Sequence, residues 1–226
     1  MWNSIHRLPA CGTTCAAALV WLGLCQAPMP AAAADIPGTQ IMPGASVDLF
    51  RLWPEVAQAP QRDLATIEVL VRPDPPAISR MRSFIVVLSN AGGRDTAGVS
   101  LALYKGAVVA SVLGTRLEAK QPLQHSTWTH IALTIDSGTV NKQARLWVNG
   151  KRIDSRLVLE PWPESFQVAE MMSDRWNQNR EFSGQLGDTR ISRRVRYRTP
   201  FQPVVKLDRD EHTVLLLEGG RIPLAP

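Results

Sequence analysis

The richest run of side chains that could contact a ligand lies in residues 160–181. Its candidate contacts are the aromatic rings of Trp162 and Trp176, the guanidinium group of Arg175 and the amides of Asn177 and Asn179. Aromatic rings can stack on sugar faces, while amide and guanidinium groups can hydrogen-bond hydroxyls. Long connections in compact domains often carry function, so we predict a ligand-binding loop here. The alternative is that Trp162 and Trp176 cap the fold as core residues, because large aromatic side chains are mostly buried.

A second polar group lies near the end of the sequence, where Asp208, Asp210 and Glu211 are clustered. The segment reads as a loop before the last strand, so a solvated acidic turn is one interpretation. Calcium takes several oxygen ligands from loops, and Asp208 and Asp210 are therefore candidate metal ligands. The sequence shows no full ligand set, and no cofactor is required.

Catalytic patterns are missing from the sequence. Glycoside hydrolysis needs two carboxylates across the scissile bond, and the alternating Glu-x-Asp-x-x-Glu arrangement is absent. No Gly-x-Ser-x-Gly elbow, phosphate-binding loop or dinucleotide fingerprint occurs. His130 has no partner motif, which favours a structural role. We therefore expect a non-catalytic protein, with a polysaccharide hydrolase or lyase as a minor alternative.

Charge is mildly positive, with 25 Lys and Arg against 20 Asp and Glu. The dense run is arginine-rich and comprises Arg190, Arg193, Arg194, Arg196 and Arg198. On a strand its even-numbered members would share one face, because side chains alternate. A solvated arginine face is one interpretation, and attraction to an anionic glycan, lipopolysaccharide or nucleic acid is the other. Nucleic-acid readers usually show a more concentrated basic stripe, so no nucleic acid is expected.

The first 34 residues have the layout of a secretory signal. Arg7 precedes a short apolar core at residues 16–24, and Ala31–Ala34 offer a small-residue cleavage site. The apolar core is too short for a membrane anchor, so we expect export to the periplasm or outside. Lipid attachment at Cys25 ranks lower because Leu24 is large. All three cysteines lie in this leader, so the remaining 192 residues (226 − 34) contain no thiol. That length suits one domain.

The elements that must position these side chains read as strands. Residues 35–63 are irregular and Pro-rich, with a candidate first strand at 46–50. From residue 64 to 226, short apolar or alternating segments are separated by turn signals, and Asn149-Gly150 predicts a type I′ hairpin. No sustained 3.6-residue period appears. The pattern predicts an all-β antiparallel fold, a two-sheet sandwich or barrel.

Four segments carry a family resemblance: WTHIALTID, ARLWVNGKRI, FSGQLGDTRISRRVRYRTPFQP and DEHTVLLLE. In this order they resemble the laminin-G-like jelly roll, a branch of the concanavalin A-like lectin/glucanase superfamily. The resemblance is good over about the last 100 residues, weaker over 64–115 and absent over 35–63. It implies an antiparallel two-sheet jelly-roll sandwich over residues 64–226, and calcium is common among laminin-G-like domains.

Two function classes follow from the resemblance and the loop. The first is a secreted or periplasmic binding module that recognises a glycan or a surface protein through its loops. The second is a structural or assembly domain that docks onto envelope or extracellular protein partners. Fold alone does not decide between them, and the oligomeric state stays open.

Overall fold

The computed structural model describes residues 36–41, 45–57, 64–75, 82–90, 98–138, 142–172 and 182–222. The predicted leader and residues 175–179 lie outside these ranges. The described residues form two antiparallel sheets, so the predicted all-β sandwich is confirmed. Within the described ranges, no helix is both long and apolar enough to cross a bilayer.

The larger sheet has seven strands. They are β1 (Thr39–Ile41), β3 (Thr66–Pro73), β8 (Thr129–Asp136), β9 (Lys142–Val148), β10 (Lys151–Val158), β12 (Gly184–Ser192) and β13 (Thr213–Leu217). Their order is β1-β12-β3-β8-β9-β10, and β13 also pairs with β12. β10 is therefore an edge strand of this sheet.

The smaller sheet has six strands. They are β2 (Val47–Asp48), β4 (Arg82–Ser89), β5 (Gly98–Tyr104), β6 (Ala107–Val112), β7 (Thr115–Pro122) and β11 (Val168–Met171). Their order is β2-β11-β4-β5-β6-β7, so β7 is an edge strand. A four-residue helix, α1 (Leu49–Leu52), and a 3₁₀ turn (Pro54–Ala57) follow β2.

Alternation places the core between the sheets. Ile67 and Val69 of β3 pair with Leu133 and Ile131 of β8, and all four side chains are completely buried. Leu146 of β9 lies beside Leu133 on the same inner face. Each such side chain contributes roughly 1.5–3 kcal/mol of transfer free energy. Their neighbours in sequence point to the outer face, which carries the polar groups described below.

Three hairpins turn on a residue followed by glycine, both with positive φ: Lys105-Gly106, Leu113-Gly114 and Asn149-Gly150. This is the type I′ geometry, and the prediction at Asn149-Gly150 is confirmed. Two features require glycine at position 150. Its φ is positive, and a Cβ there would lie 1.8 Å from the Phe201 carbonyl oxygen. Leu113 is unusual, since a bulky side chain in the left-handed region is strained.

Several strands differ from the sequence expectation. β7 was not expected because only Leu117 and Ala119 of its eight residues alternate as buried apolar positions. β11 lies inside the predicted loop 160–181, where all four of its side chains are buried. The predicted strand 46–50 is shorter, since α1 begins at Leu49. β1 and β2 both precede residue 64 and add one strand to each sheet.

Candidate functional site

An open cleft of about 670 Å³ lies beside β10 and the start of β7, and we call it the Trp162 cleft. Its walls come from the ends of strands and the turns after them: Asn90, Leu113, Gly114, Thr115, Leu157 and residues 159–163. The strained Leu113-Gly114 turn joins β6 to β7 and forms one side. The other side is the C-terminal end of β10 with the chain that leaves it.

Apolar side chains are exposed at this cleft. Leu157 is 56% exposed and Leu159 is 77% exposed. Within the described ranges, Val204 is the one other exposed large apolar side chain, at 37%. Two of these three therefore lie in one cleft, as expected for a contact surface. Trp162 is only 8% exposed, and its ring meets Phe166 edge-on with the centroids 6.4 Å apart. It forms the floor of the cleft and also belongs to the main core.

Two buried polar atoms of the cleft walls lack a hydrogen-bond partner in the described chain: Asn90 Oδ1 and Trp162 Nε1. One is an acceptor and the other a donor. Buried polar groups are nearly always paired, and each unpaired one costs roughly 1–3 kcal/mol. At the rim, Lys142 Nζ donates to the Glu160 carbonyl at 2.8 Å, which fixes the chain as it leaves β10.

Chemically, the cleft can hold a molecule with apolar faces and hydrogen-bonding edges. Glu160 supplies the one carboxylate among its described lining residues. A glycosidase needs a pair about 5–9.5 Å apart, so these residues alone do not form such a centre.

The predicted loop residues are placed unevenly. Trp162 lines the cleft, whereas Arg175, Trp176, Asn177 and Asn179 lie outside the described residues, so their binding role remains a prediction. Sequence reasoning missed Asn90, Thr115, Leu157 and Leu159. Leu157 and Leu159 read as ordinary strand residues, and no pattern shows that the edge position of β10 exposes them.

The candidate metal ligands lie in the loop before β13. Asp210 accepts hydrogen bonds from Arg196 at 3.0 and 2.7 Å and from Thr213 at 2.8 Å. These contacts, led by Arg196, hold the pKa of Asp210 well below its ordinary value. Asp208 has an 83% exposed side chain, 4.0 Å from Lys206 Nζ. No group of three or more His, Cys, Asp or Glu residues is placed to hold a metal in the described parts of the chain. The calcium site remains a prediction.

A buried ionic cluster lies on the outer face of the larger sheet around Glu68, which is fully buried. Arg190 Nη2 lies 2.8 Å from its carboxylate, the Tyr197 hydroxyl donates to it at 2.5 Å, and His130 Nε2 is 3.4 Å away. Burial opposes ionisation, but the nearby His130 imidazole and the hydrogen-bonded Arg190 guanidinium outweigh it and lower the pKa of Glu68 to about 2. His130 is thus a buried structural residue, as the sequence indicated.

The cluster also explains most of the arginine run. β12 ends at Ser192, so Arg190 lies on a strand and the other four arginines of the run follow it. Arg196 lies 3.5 Å from Glu68 while binding Asp210, and Arg198 Nε donates to Asp136 at 3.1 Å. These ion pairs hold residues 193–212, which we call the strap, against the outer face of the larger sheet.

Aromatic contacts seal the strap. Tyr197 stacks on Phe201 with the ring centroids 3.5 Å apart, and both rings meet Trp147. The Phe201 amide donates to the Gly150 carbonyl at 3.0 Å. The strap covers this part of the larger sheet's outer face, so the cluster holds structure together and is closed to ligands.

Comparison with known proteins places the fold. Residues 52–199 match the family model of the concanavalin A-like lectin/glucanases superfamily, which is more than half of the chain. A search of curated proteins finds no significant match.

Two solved structures are similar at low sequence identity. The first is a candidate carbohydrate-binding protein from Bacteroides ovatus, with 17% identity, a TM-score of 0.58, and 81% of this chain and 51% of that chain covered. The second is the Ruminococcus gnavus IT-sialidase CBM40, with 19% identity, a TM-score of 0.53 and coverage of 72% and 92%. The chain thus spans about half the length of the Bacteroides ovatus protein.

Proposed function

Because the chain belongs to the concanavalin A-like lectin/glucanase superfamily, we propose that it is an exported, non-catalytic carbohydrate-binding module with its saccharide site in the Trp162 cleft. The observation that carries the proposal is the pairing of exposed apolar surface with unpartnered polar atoms. Leu157 and Leu159 offer contact to the C–H faces of a sugar. Asn90 Oδ1 and Trp162 Nε1 lie buried and unpartnered in its walls, and a small shift of those walls on binding would bring an acceptor and a donor to the sugar hydroxyls.

The similar structures support the same ligand class. Both are named as carbohydrate-binding proteins or modules, although the likeness itself concerns the fold. The predicted leader supports export, and the absence of the Glu-x-Asp-x-x-Glu pattern from the sequence supports binding without turnover. The predicted residues Arg175, Trp176, Asn177 and Asn179 follow Trp162 in sequence and are proposed to complete the site.

The test is a glycan array with the full chain, run with and without calcium, followed by titration of the best ligand. We expect Leu159→Ser to weaken binding about fivefold to tenfold, because an exposed apolar contact of this size is worth roughly 1 kcal/mol. Trp162→Phe removes the ring N–H but keeps apolar bulk, and should weaken binding about fivefold. Trp162→Ala is unsuitable, since truncating a buried tryptophan costs about 3–5 kcal/mol of stability.

Val204→Ser is the matched control, because Val204 is exposed but lies outside the cleft. It should bind within about twofold of the parent chain, as surface changes away from a site usually do. Absence of binding to every saccharide, or unchanged binding by both cleft variants, would contradict the proposal. A decrease in the concentration of intact oligosaccharide during incubation with the protein would instead support the hydrolase or lyase alternative.

A second candidate function is docking to a protein partner. It is favoured by the same exposed Leu157 and Leu159, since they lie at the end of the edge strand β10. Edge strands present unpaired backbone groups to other chains. A stable partner recovered from the envelope, lost with Leu159→Ser and without any saccharide ligand, would select this function.

A further inference from the structure

The two sheet edges meet along a seam formed by β7 and β10. The Glu118 amide of β7 donates to Asp154 Oδ2 of β10 at 3.3 Å. Thr115 at the start of β7 shares the Trp162 cleft with Leu157 near the end of β10. The two strands therefore run in opposite directions side by side. β7 has eight residues, which at about 3.3 Å each gives a seam of roughly 25 Å.

A second cleft of about 510 Å³ opens on the same seam, and we call it the Tyr104 cleft. The side chains that matter in it are Tyr104, Lys105, Glu118, Lys120, Asp154 and Arg156. Arg156 and Leu157 are consecutive in β10, and side chains alternate along a strand, so Arg156 lines the Tyr104 cleft from one face of β10 and Leu157 lines the Trp162 cleft from the other. The two clefts are neighbours along the seam.

Charge in the Tyr104 cleft is unbalanced. Glu118 pairs with Arg116 at 2.9 Å, and Asp154 is held by Arg156 at 3.2 Å and by the Ser155 amide at 2.7 Å. Both carboxylates are thus compensated. Lys105 and Lys120 are exposed, and neither has a carboxylate partner in the part of the chain that the structure describes.

The excess positive charge lies beside an aromatic ring. Lys105 Nζ is 5.4 Å from the centre of the Tyr104 ring, and the Arg116 guanidinium carbon is 5.6 Å from it. The type I′ turn fixes the Lys105 backbone at φ 51°. An ammonium group is a point charge that accepts an anion from many directions. The Tyr104 cleft therefore combines a ring that can contact a sugar with cations that can hold an acid.

Resting on the proposed function, we propose that one linear acidic saccharide spans the seam and occupies both clefts. A carboxylate or sulfate group of that saccharide lies at Lys105 and Lys120, and an uncharged sugar lies in the Trp162 cleft. The direction follows from charge, because the carboxylate of Glu160 at the Trp162 end repels an anion. The shared chemistry is an anionic group on an extended carbohydrate chain.

The first experiment is affinity electrophoresis of the full chain in gels containing dextran, dextran sulfate or polygalacturonate. We expect the two anionic polymers to retard the chain about tenfold more strongly than dextran at low salt, and this preference to shrink at 0.5 M salt. Retardation by one anionic polymer only assigns the site to that acid. Equal retardation by all three polymers overturns the acidic-saccharide proposal while leaving the carbohydrate-binding function in place.

The second experiment uses the double variant Lys105→Ala/Lys120→Ala. It should lose about tenfold in affinity for the anionic polymer and stay within about twofold for any neutral ligand. The matched control is Lys206→Ala/Arg209→Ala, which removes the same charge from exposed positions outside both clefts. Equal losses of affinity in the two double variants would mean that net charge alone explains the effect, and this would overturn the proposal.

The simultaneous occupation of both clefts has its own test. Affinity for a long acidic chain should fall both with Leu159→Ser and with the lysine variant, whereas galacturonic acid alone should respond to the lysine variant only. If Leu159→Ser leaves the long chain unaffected while neutral saccharides are weakened, the two clefts are separate sites. If no saccharide of any kind binds, the proposed function itself has failed.

Discussion

At the scale of single residues, Glu68 is the group on which the outer face of the larger sheet depends. Its carboxylate is enclosed by Arg190, Arg196, Tyr197 and His130. Removing one partner from a buried ion pair leaves the other charge without compensation, which costs far more than the pair contributes.

We expect Glu68→Gln to lower the free energy of unfolding by about 3 kcal/mol, measured by urea denaturation at pH 7. The amide keeps the shape of the side chain but leaves the buried Arg190 without its anion. Glu118→Gln is the control, because Glu118 and Arg116 form an exposed pair worth less than about 1 kcal/mol. Equal losses from the two variants would mean that the buried cluster contributes nothing special.

Residue roles were the least predictable part of the sequence. His130 was assigned correctly to structure, but its partner Glu68 was invisible because 62 residues of sequence separate them (130 − 68). The arginine run reads as a solvated face or an anion-attracting patch, whereas Arg190, Arg196 and Arg198 bind carboxylates on three other segments. Pairing of side chains from distant segments is set by tertiary packing, which no local spacing records.

At the scale of elements, Gly150 joins two parts of the fold that local sequence treats separately. Its positive φ serves the β9–β10 hairpin, and its missing side chain admits the Phe201 carbonyl of the strap. The Asn149-Gly150 pair predicts the hairpin turn, whereas no sequence pattern predicts the contact with Phe201.

Gly150→Ala should therefore destabilise more than a turn substitution alone, by roughly 3 kcal/mol or more in thermal or urea unfolding. Gly106→Ala is the matched control, since Gly106 has nearly the same φ but its new Cβ would meet only the Pro122 side chain at 3.2 Å. That variant should cost about 1–2 kcal/mol. Similar losses in the two variants would show that the contact with Phe201 is unimportant.

Strands buried on one face were predicted well, and exposed or isolated ones were not. The apolar pattern predicts a strand at 213–217, which are the bounds of β13. It also predicts strands at 65–72, 128–136 and 144–148, and these differ from β3, β8 and β9 by one or two residues at either end. β7 and β11 were missed because one is charged on its outer face and the other is short. Since β7 forms one side of the seam, the sequence does not predict the seam or the two clefts along it.

At the scale of the whole molecule, the ion pairs make the free energy of unfolding depend on pH. The pKa of Glu68 is lowered from 4.5 to about 2, and the pKa values of Asp136 and Asp210 are also lowered, chiefly by hydrogen bonds from Arg198 and Arg196. A carboxyl with a lowered pKa in the folded state stabilises the fold above its unfolded pKa and loses that contribution as pH falls.

We expect the free energy of unfolding to change little near neutrality and to fall between about pH 4.5 and pH 2. The shift at Glu68 accounts for about 3 kcal/mol of that loss. Urea titrations at several pH values measure it, and Glu68→Gln should flatten the part of the slope due to Glu68. An acid slope that is unchanged in this variant would contradict the assignment.

The position of Glu68 also sets an order of events during synthesis. Arg190 and Tyr197, which bind its carboxylate, follow it by 122 and 129 residues. β3, in the middle of the larger sheet, must wait equally long for β12. A nascent chain that ends at β10 still lacks Arg190 and Tyr197, so the Glu68 carboxylate has neither of these partners. In that chain β3 can pair with β8 but not with β12. The domain therefore completes its folding in one late step, when the last third of the polypeptide can pack against the strands that precede it.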